Sequence, residues 1–249
     1  MILTDDNFAT IVKAVEFGRA IYNNLFNFVR FQMGELVGFI AAYLLAAFFF
    51  VLGGEPFEAF TVVFLNFLIT VPCAIALGFD KPAPGLMEKK PRPLKQPILS
   101  RPQWVRIAFL GILMAIATVY LEYTFETVSS ATAASVGFVA FALISVAMGI
   151  SARSETDTSF NRNIIHDRNQ LILYGVAILV TILATELNFL QRVLGTVSLD
   201  RNQWLLGIGV AIALLLVDEV IKYFLRRSRQ QGQQAVEVAQ PAGAAVSGD

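Results

Sequence analysis

The sequence predicts an all-α polytopic membrane protein with six transmembrane helices, and three observations carry that prediction. Hydrophobic residues make up 56% of the 249 residues, more than a single soluble domain uses. They fall into six blocks, each long enough to cross a bilayer as a helix. Lysine and arginine gather in alternate connections between the blocks, which is the asymmetry that orients membrane helices. The 19 basic and 19 acidic residues cancel, so nothing in the overall balance points to nucleic acid.

Residues 1–30 read as a cytosolic stalk helix. Asp5, Asp6 and Asn7 supply a helix start, and Ile11, Val12, Val15, Phe17 and Ile21 follow at roughly helical spacing. This start is charged and amphipathic, so no signal peptide is expected. The first span covers about 31–52 and carries Glu35 near its cytosolic end. An ionisable group there is a functional candidate, or it reaches the interface to meet water. The turn GGEP leads to a second span at about 57–79, making an antiparallel hairpin.

That second span is unusual, because Asn66, Thr70 and Pro72 put an amide, a hydroxyl and a helix breaker within two turns. Backbone groups freed in hydrocarbon need new partners, so this segment is expected among other helices, lining a path. The plainer reading is a proline-kinked helix whose Asn66 bonds a neighbour. The lone Cys73 lies in an apolar run and reads as a small buried thiol.

A basic, proline-rich cytosolic loop, 80–103, separates the second span from the third, at about 104–123. Its basic residues are ordinary topology determinants and lipid-headgroup contacts. The fourth span, about 134–151, ends in a polar loop holding the only histidine, His166. With no second His or Cys near it, a solvated or capping role is expected rather than a metal site. The fifth span is about 171–190 and the sixth about 204–225. Asp218 and Lys222 stand four apart on the sixth and suggest a local ion pair at the membrane boundary. The remainder, 226–249, lacks apolar periodicity and reads as a disordered cytosolic tail. Only Arg192 and Arg201 lie in the loops opposite the other basic clusters, so both termini are expected in the cytosol.

Three segments carry a family resemblance. LTDDNFATIVKAVEFGRAIYNN, residues 3–24, is similar to the segment that joins the phosphorylation domain of P-type cation-transporting ATPases to the stalk of their fifth membrane helix. ALGFDKPAPGLMEKKPRPLKQPILSR, residues 76–101, resembles the loop after the sixth helix, and SARSE at 151–155 resembles the motif after the eighth. The resemblance covers nearly the whole chain to about Phe224 and is to calcium-pump-like, P2-type members. It implies helices five to ten of such a pump, with Asp5 and Asp6 closing a loop and Gly18 and Arg19 in the stalk. It also implies that loop 80–103, through Asp80, Pro82, Pro91, Arg92 and Pro93, couples the membrane part to the phosphorylation domain.

Calcium pumps of this family take ligands from NxGE in helix five, NxxTD in helix six and a Glu in helix eight, since hard cations need six or more oxygens. Here Asn66 matches, but Ile69 and Thr70 stand at the Thr and Asp positions, and Ser145 at the Glu position. QMGE offers Gln32 and Glu35 only with a four-residue gap; without one, Leu36 and Phe39 hold the ligand positions. The ungapped alignment is preferred, because a deletion inside a continuous helix is harder to accommodate than a change in loop length. The candidate cation path is therefore Asn66, Thr70, Glu35 and Ser145, with backbone carbonyls freed around Pro72. A standard high-affinity Ca²⁺ site is not expected, and a monovalent ion, a proton or Mg²⁺ with its waters stay open.

Phosphoryl transfer needs an acceptor carboxylate, phosphate-cradling groups and Mg²⁺ ligands. The family places them in DKTGT, TGES and GDGVND, and none occurs in this chain, so no catalytic or cofactor-binding residue is expected in it. ATP and Mg²⁺ belong to a complete pump, with N-terminal ATPase domains in the same or another chain. Expected partners are the lipid bilayer, of the cell membrane, and an inorganic cation, with no nucleic acid. The alternative is a stand-alone six-span protein, a non-enzymatic partner or a passive carrier.

Overall fold

A computed structural model describes residues 8–81, 85–88, 97–155, 158–159 and 167–239. Among them there is no strand, and six helices are long and apolar enough to cross a membrane. The protein is thus a multi-pass membrane protein. Helix α1 is Phe8–Phe49, α2 Ala59–Gly78, α3 Arg101–Glu126 and α4 Ser130–Ser151. Then come α5 at Arg168–Glu186, the short α6 at Asn188–Leu194, and α7 at Arg201–Ala239.

Stalk and first span are one helix of 42 residues without a proline. It stops at Phe49, short of the expected Leu52, because Phe50, Leu52, Gly53 and Gly54 all take positive φ. Two non-glycine residues in the left-handed region are costly, about 1–2 kcal/mol each. The tight turn is held from outside: the Leu52 N–H donates to Glu126 Oε1 of α3 at 3.0 Å.

Other ends are set by local chemistry that hydropathy does not register. Ser100 and Gln103 form a capping box, with the Ser100 N–H donating to Gln103 Oε1 at 2.7 Å, so α3 starts at Arg101 rather than Trp104. Ser129 accepts from the Thr132 N–H at 3.2 Å and starts α4 at Ser130. Extended backbone at Leu187 breaks the expected fifth span into α5 and α6. Helix α7 runs on to Ala239, past the expected limit at Leu225, which corrects the reading of this part of the tail as disordered. Its Arg, Gln, Ala and Glu residues are good helix formers and continue the helix that the spanning segment has already nucleated. Residues 240–249 lie outside the described set.

Helix α4 is the centre of the bundle: 72% of its spanning window is buried, against 44% or less in the others. Its sequence SATAASVGFVAFALISVAMGIS is rich in small residues, which let neighbouring backbones approach where hydrocarbon supplies no driving force of its own. It packs on α3 and α7, while α3 also packs along α1, and α2 lies between α1 and α5. The α1–α3 contact is close at Gly111, where an added Cβ would stand 2.8 Å from the Gly34 carbonyl oxygen. Large apolar side chains such as Leu44, Phe48, Phe60 and Phe67 point outward, as lipid-facing residues do.

Candidate ion path and coupling contacts

The middle of α2 is not α-helical. Leu65–Thr70 form a π-helical turn, in which the Val71 N–H reaches back to the Asn66 carbonyl. Pro72 follows, and it has no N–H to offer the carbonyls a turn earlier. A widened turn of this kind leaves backbone oxygens under-used and is frequent at functional sites. Asn66 turns its amide back on its own helix, donating to the Val62 carbonyl at 2.9 Å. Thr70 is buried, and its Oγ1 has no hydrogen-bond partner among the described residues.

Glu35 does not reach water. It is 2% exposed in α1 and accepts a 3.0 Å hydrogen bond from Ser145 Oγ of α4. Ser145 also donates to the Phe141 carbonyl at 2.9 Å, so its one hydroxyl proton is shared between two acceptors. The fold therefore joins two candidates that lie 110 residues apart in sequence. The π turn of α2 packs against α4, the helix that carries Ser145. No hydrogen bond links Asn66 or Thr70 to Glu35 among the described residues.

A second layer of contacts ties α1 to the segments that follow α2 and α4. Asn24 donates to the carbonyls of Gly78 at 3.2 Å and Asp80 at 2.7 Å, and Asn27 to that of Arg153 at 2.7 Å. Arg30 reaches the carbonyls of Ala152 at 2.7 Å and Ser154 at 3.1 Å, and Arg19 that of Leu86 at 2.9 Å. Of the expected coupling residues, Asp80 pairs with Arg153 at 2.8 Å. Burial works against the Arg153 charge, but the hydrogen bonds and charge of Asp80 outweigh it and hold the guanidinium above its ordinary pKa. Pro82, Pro91, Arg92 and Pro93 lie outside the described residues, as do Asp5, Asp6 and His166.

The Asp218–Lys222 pair forms at 3.7 Å, but it is not a local surface feature. Asp218 is buried, and it accepts from Arg106 of α3 at 2.5 Å and from Ser151 of α4. Lys222 is buried as well, donating to the Ser151 carbonyl at 2.8 Å and Ser159 Oγ at 2.9 Å. Arg30, Arg106, Asp218 and Ser151 line a cavity of about 20 Å³, room for one water. Sequence reading missed Arg30, Arg106, Asn24 and Asn27. The last two and Arg30 recur every third position along the stalk, a polar stripe that was available as a signal.

Six spanning helices, a π turn in the second and a buried carboxylate in the first define a polytopic helical membrane domain with polar groups in its interior. A family model described as "Cation transporting ATPase, C-terminus" matches residues 54–224. The chain belongs to that family and corresponds to the C-terminal transmembrane portion of a P-type ATPase. It is 31% identical to Calcium-transporting ATPase 1 of Schizosaccharomyces pombe, over 91% of this chain and 25% of that protein. With Calcium-transporting ATPase lmo0841 of Listeria monocytogenes it shares 29% identity, over 89% of this chain and 25% of the relative. Calcium-transporting ATPase type 2C member 1 of Homo sapiens is also 29% identical, over 95% of this chain and 26% of that protein. The chain thus spans about a quarter of the length of the curated relatives it matches.

Proposed function

We propose that this six-span unit holds the ion path of an ATP-driven cation pump and couples it to cytosolic domains. The observation that carries the proposal is the Glu35–Ser145 hydrogen bond at 3.0 Å, deep between α1 and α4 and next to the π turn of α2. A buried carboxylate, a spare hydroxyl at Thr70 and under-used carbonyls before Pro72 supply oxygen donors inside the membrane, which is what a hard cation requires. The names of the relatives support a cation as cargo.

ATP and Mg²⁺ act on N-terminal ATPase domains, in the same or another chain, and the energy reaches the path through α1. The bonds from Arg19, Asn24, Asn27 and Arg30 to loop carbonyls make that helix and the cytosolic loops move together. Loop 80–103, including Pro82, Pro91, Arg92 and Pro93, acts as the coupling element. Both termini face the cytosol, and the unit resides in the cell membrane.

The test is cation-stimulated ATP turnover in the assembly that contains this chain, with Glu35→Gln, Asn66→Ala and Thr70→Val compared with wild type at matched expression. Glu35→Gln is expected to lower turnover at least tenfold, and the other two to raise the cation concentration needed for half-maximal stimulation. Wild-type turnover and cation dependence in all three would sink the reading.

A further inference from the structure

The proposed path uses one intramembrane carboxylate, Glu35, and leaves another unexplained. Glu122 of α3 is 0% exposed, and neither of its carboxyl oxygens has a hydrogen-bond partner among the described residues. Thr118, one turn earlier, is also 0% exposed, and its Oγ1 has no partner either. Residues four apart share a helix face, and side chains lean towards the helix N-terminus. The Glu122 carboxyl therefore leans over the turn that carries Thr118. Gly137 of α4 lies opposite, where an added Cβ would stand 2.6 Å from Glu122 Cδ, so the glycine is what admits the carboxyl.

Three enclosed oxygens without donors are expensive in a membrane interior. A proton on the carboxyl would remove the charge and let the O–H donate to Thr118 Oγ1, yet leave the other carboxyl oxygen without a donor. One cation answers all three oxygens. Charge sets its valence, because the neighbouring carboxylates sit nearer to water: Glu126, half-buried, accepts the Leu52 N–H at 3.0 Å, and Glu55 in the α1–α2 turn is exposed. Tyr43 of α1 is neutral and donates to the Phe57 carbonyl at 2.6 Å. No lysine or arginine pairs with Glu122 among the described residues. One carboxylate balances one positive charge, and a divalent ion would bring an uncompensated charge into a low dielectric.

We propose that Glu122 and Thr118 form a binding site for one monovalent alkali cation at the α3–α4 contact, distinct from the Glu35–Ser145 path. Equilibrium binding of ²²Na⁺ and of ⁸⁶Rb⁺, a stand-in for K⁺, to the purified full chain in lipid nanodiscs tests it. Saturable binding of one of the two ions is expected in wild type, weakened at least tenfold in Glu122→Gln and severalfold in Thr118→Val, and retained in Glu35→Gln. Thr118→Val removes one oxygen at constant shape and keeps the test alive should Glu122→Gln fold poorly. Unchanged binding in both α3 variants, or no saturable binding in wild type, overturns the site. Binding lost in Glu35→Gln and kept in Glu122→Gln overturns it too, while leaving the proposed path standing.

Discussion

Asp218 shows how much one buried side chain can organise. It accepts from Arg106 and Ser151 and pairs with Lys222, joining α7 to α3 and α4 inside the bundle. Removing one member of such a cluster leaves cations buried without compensation, which costs about 3–5 kcal/mol. Asp218→Ala should therefore lower the thermal unfolding temperature of the detergent-solubilised chain substantially. Asp218→Asn, which keeps an acceptor oxygen, should lower it less, and equal melting of both variants with wild type would contradict this account. The i, i+4 pairing with Lys222 was legible in the sequence, because it follows from helix geometry alone. Arg106 was not, since 112 residues separate it from Asp218 and only tertiary packing brings them together. The same limit applied to Glu35, named as an ionisable residue inside a span, and to Ser145, named from a motif position: neither position told that one would donate to the other.

Among the helices, existence was legible and detail was not. Apolar blocks located all six spans because hydrocarbon thickness sets a minimum length. Ends followed instead from capping at Ser100 and Ser129, left-handed turns after Phe49, and backbone extension at Leu187. Asn66, Thr70 and Pro72 marked α2 as irregular, but a π turn differs from a proline kink only in which carbonyl each N–H chooses. Close packing between α1 and α3 gives a test at this scale. In Gly111→Ala the new Cβ meets the Gly34 backbone and Val37 at 2.8 Å, and the backbone has nowhere to swing. A loss of about 1–3 kcal/mol is expected from such overpacking. Gly175→Ala on α5, with nothing within 4 Å of its Cβ, should instead be neutral or slightly stabilising. Melting curves that fail to separate the two would mean the α1–α3 contact is looser than it stands here.

At the scale of the whole molecule, segments 3–24, 76–101 and 151–155 identified the C-terminal transmembrane portion of a P-type ATPase, whereas the cargo stayed open. Ion choice depends on how many oxygens converge and how far apart they sit, which residue types alone do not fix. The proposed partnership with ATPase domains has a direct readout. Membranes of the source cell, solubilised gently and captured with an antibody to residues 226–249, should yield a polypeptide that takes ³²P from ATP. That label should be released by hydroxylamine, as an aspartyl-phosphate is. A capture that contains the chain but no such label would contradict the coupling role.

Helix α1 carries 42 residues with no proline, so at 1.5 Å per residue it is about 63 Å long. The hydrocarbon layer takes up only about 30 Å of that. Roughly half of the rod therefore stands clear of the lipid, and a pivot near the membrane surface would make it a lever with arms of similar length. Tilting the outer arm by about 5° would shift its end by about 3 Å, whereas Glu35, about 10 Å beyond the pivot, would swing by about 1 Å in the opposite sense. A push on the free arm is thus geared down roughly threefold at Glu35, to the scale on which its 3.0 Å hydrogen bond with Ser145 is kept or lost.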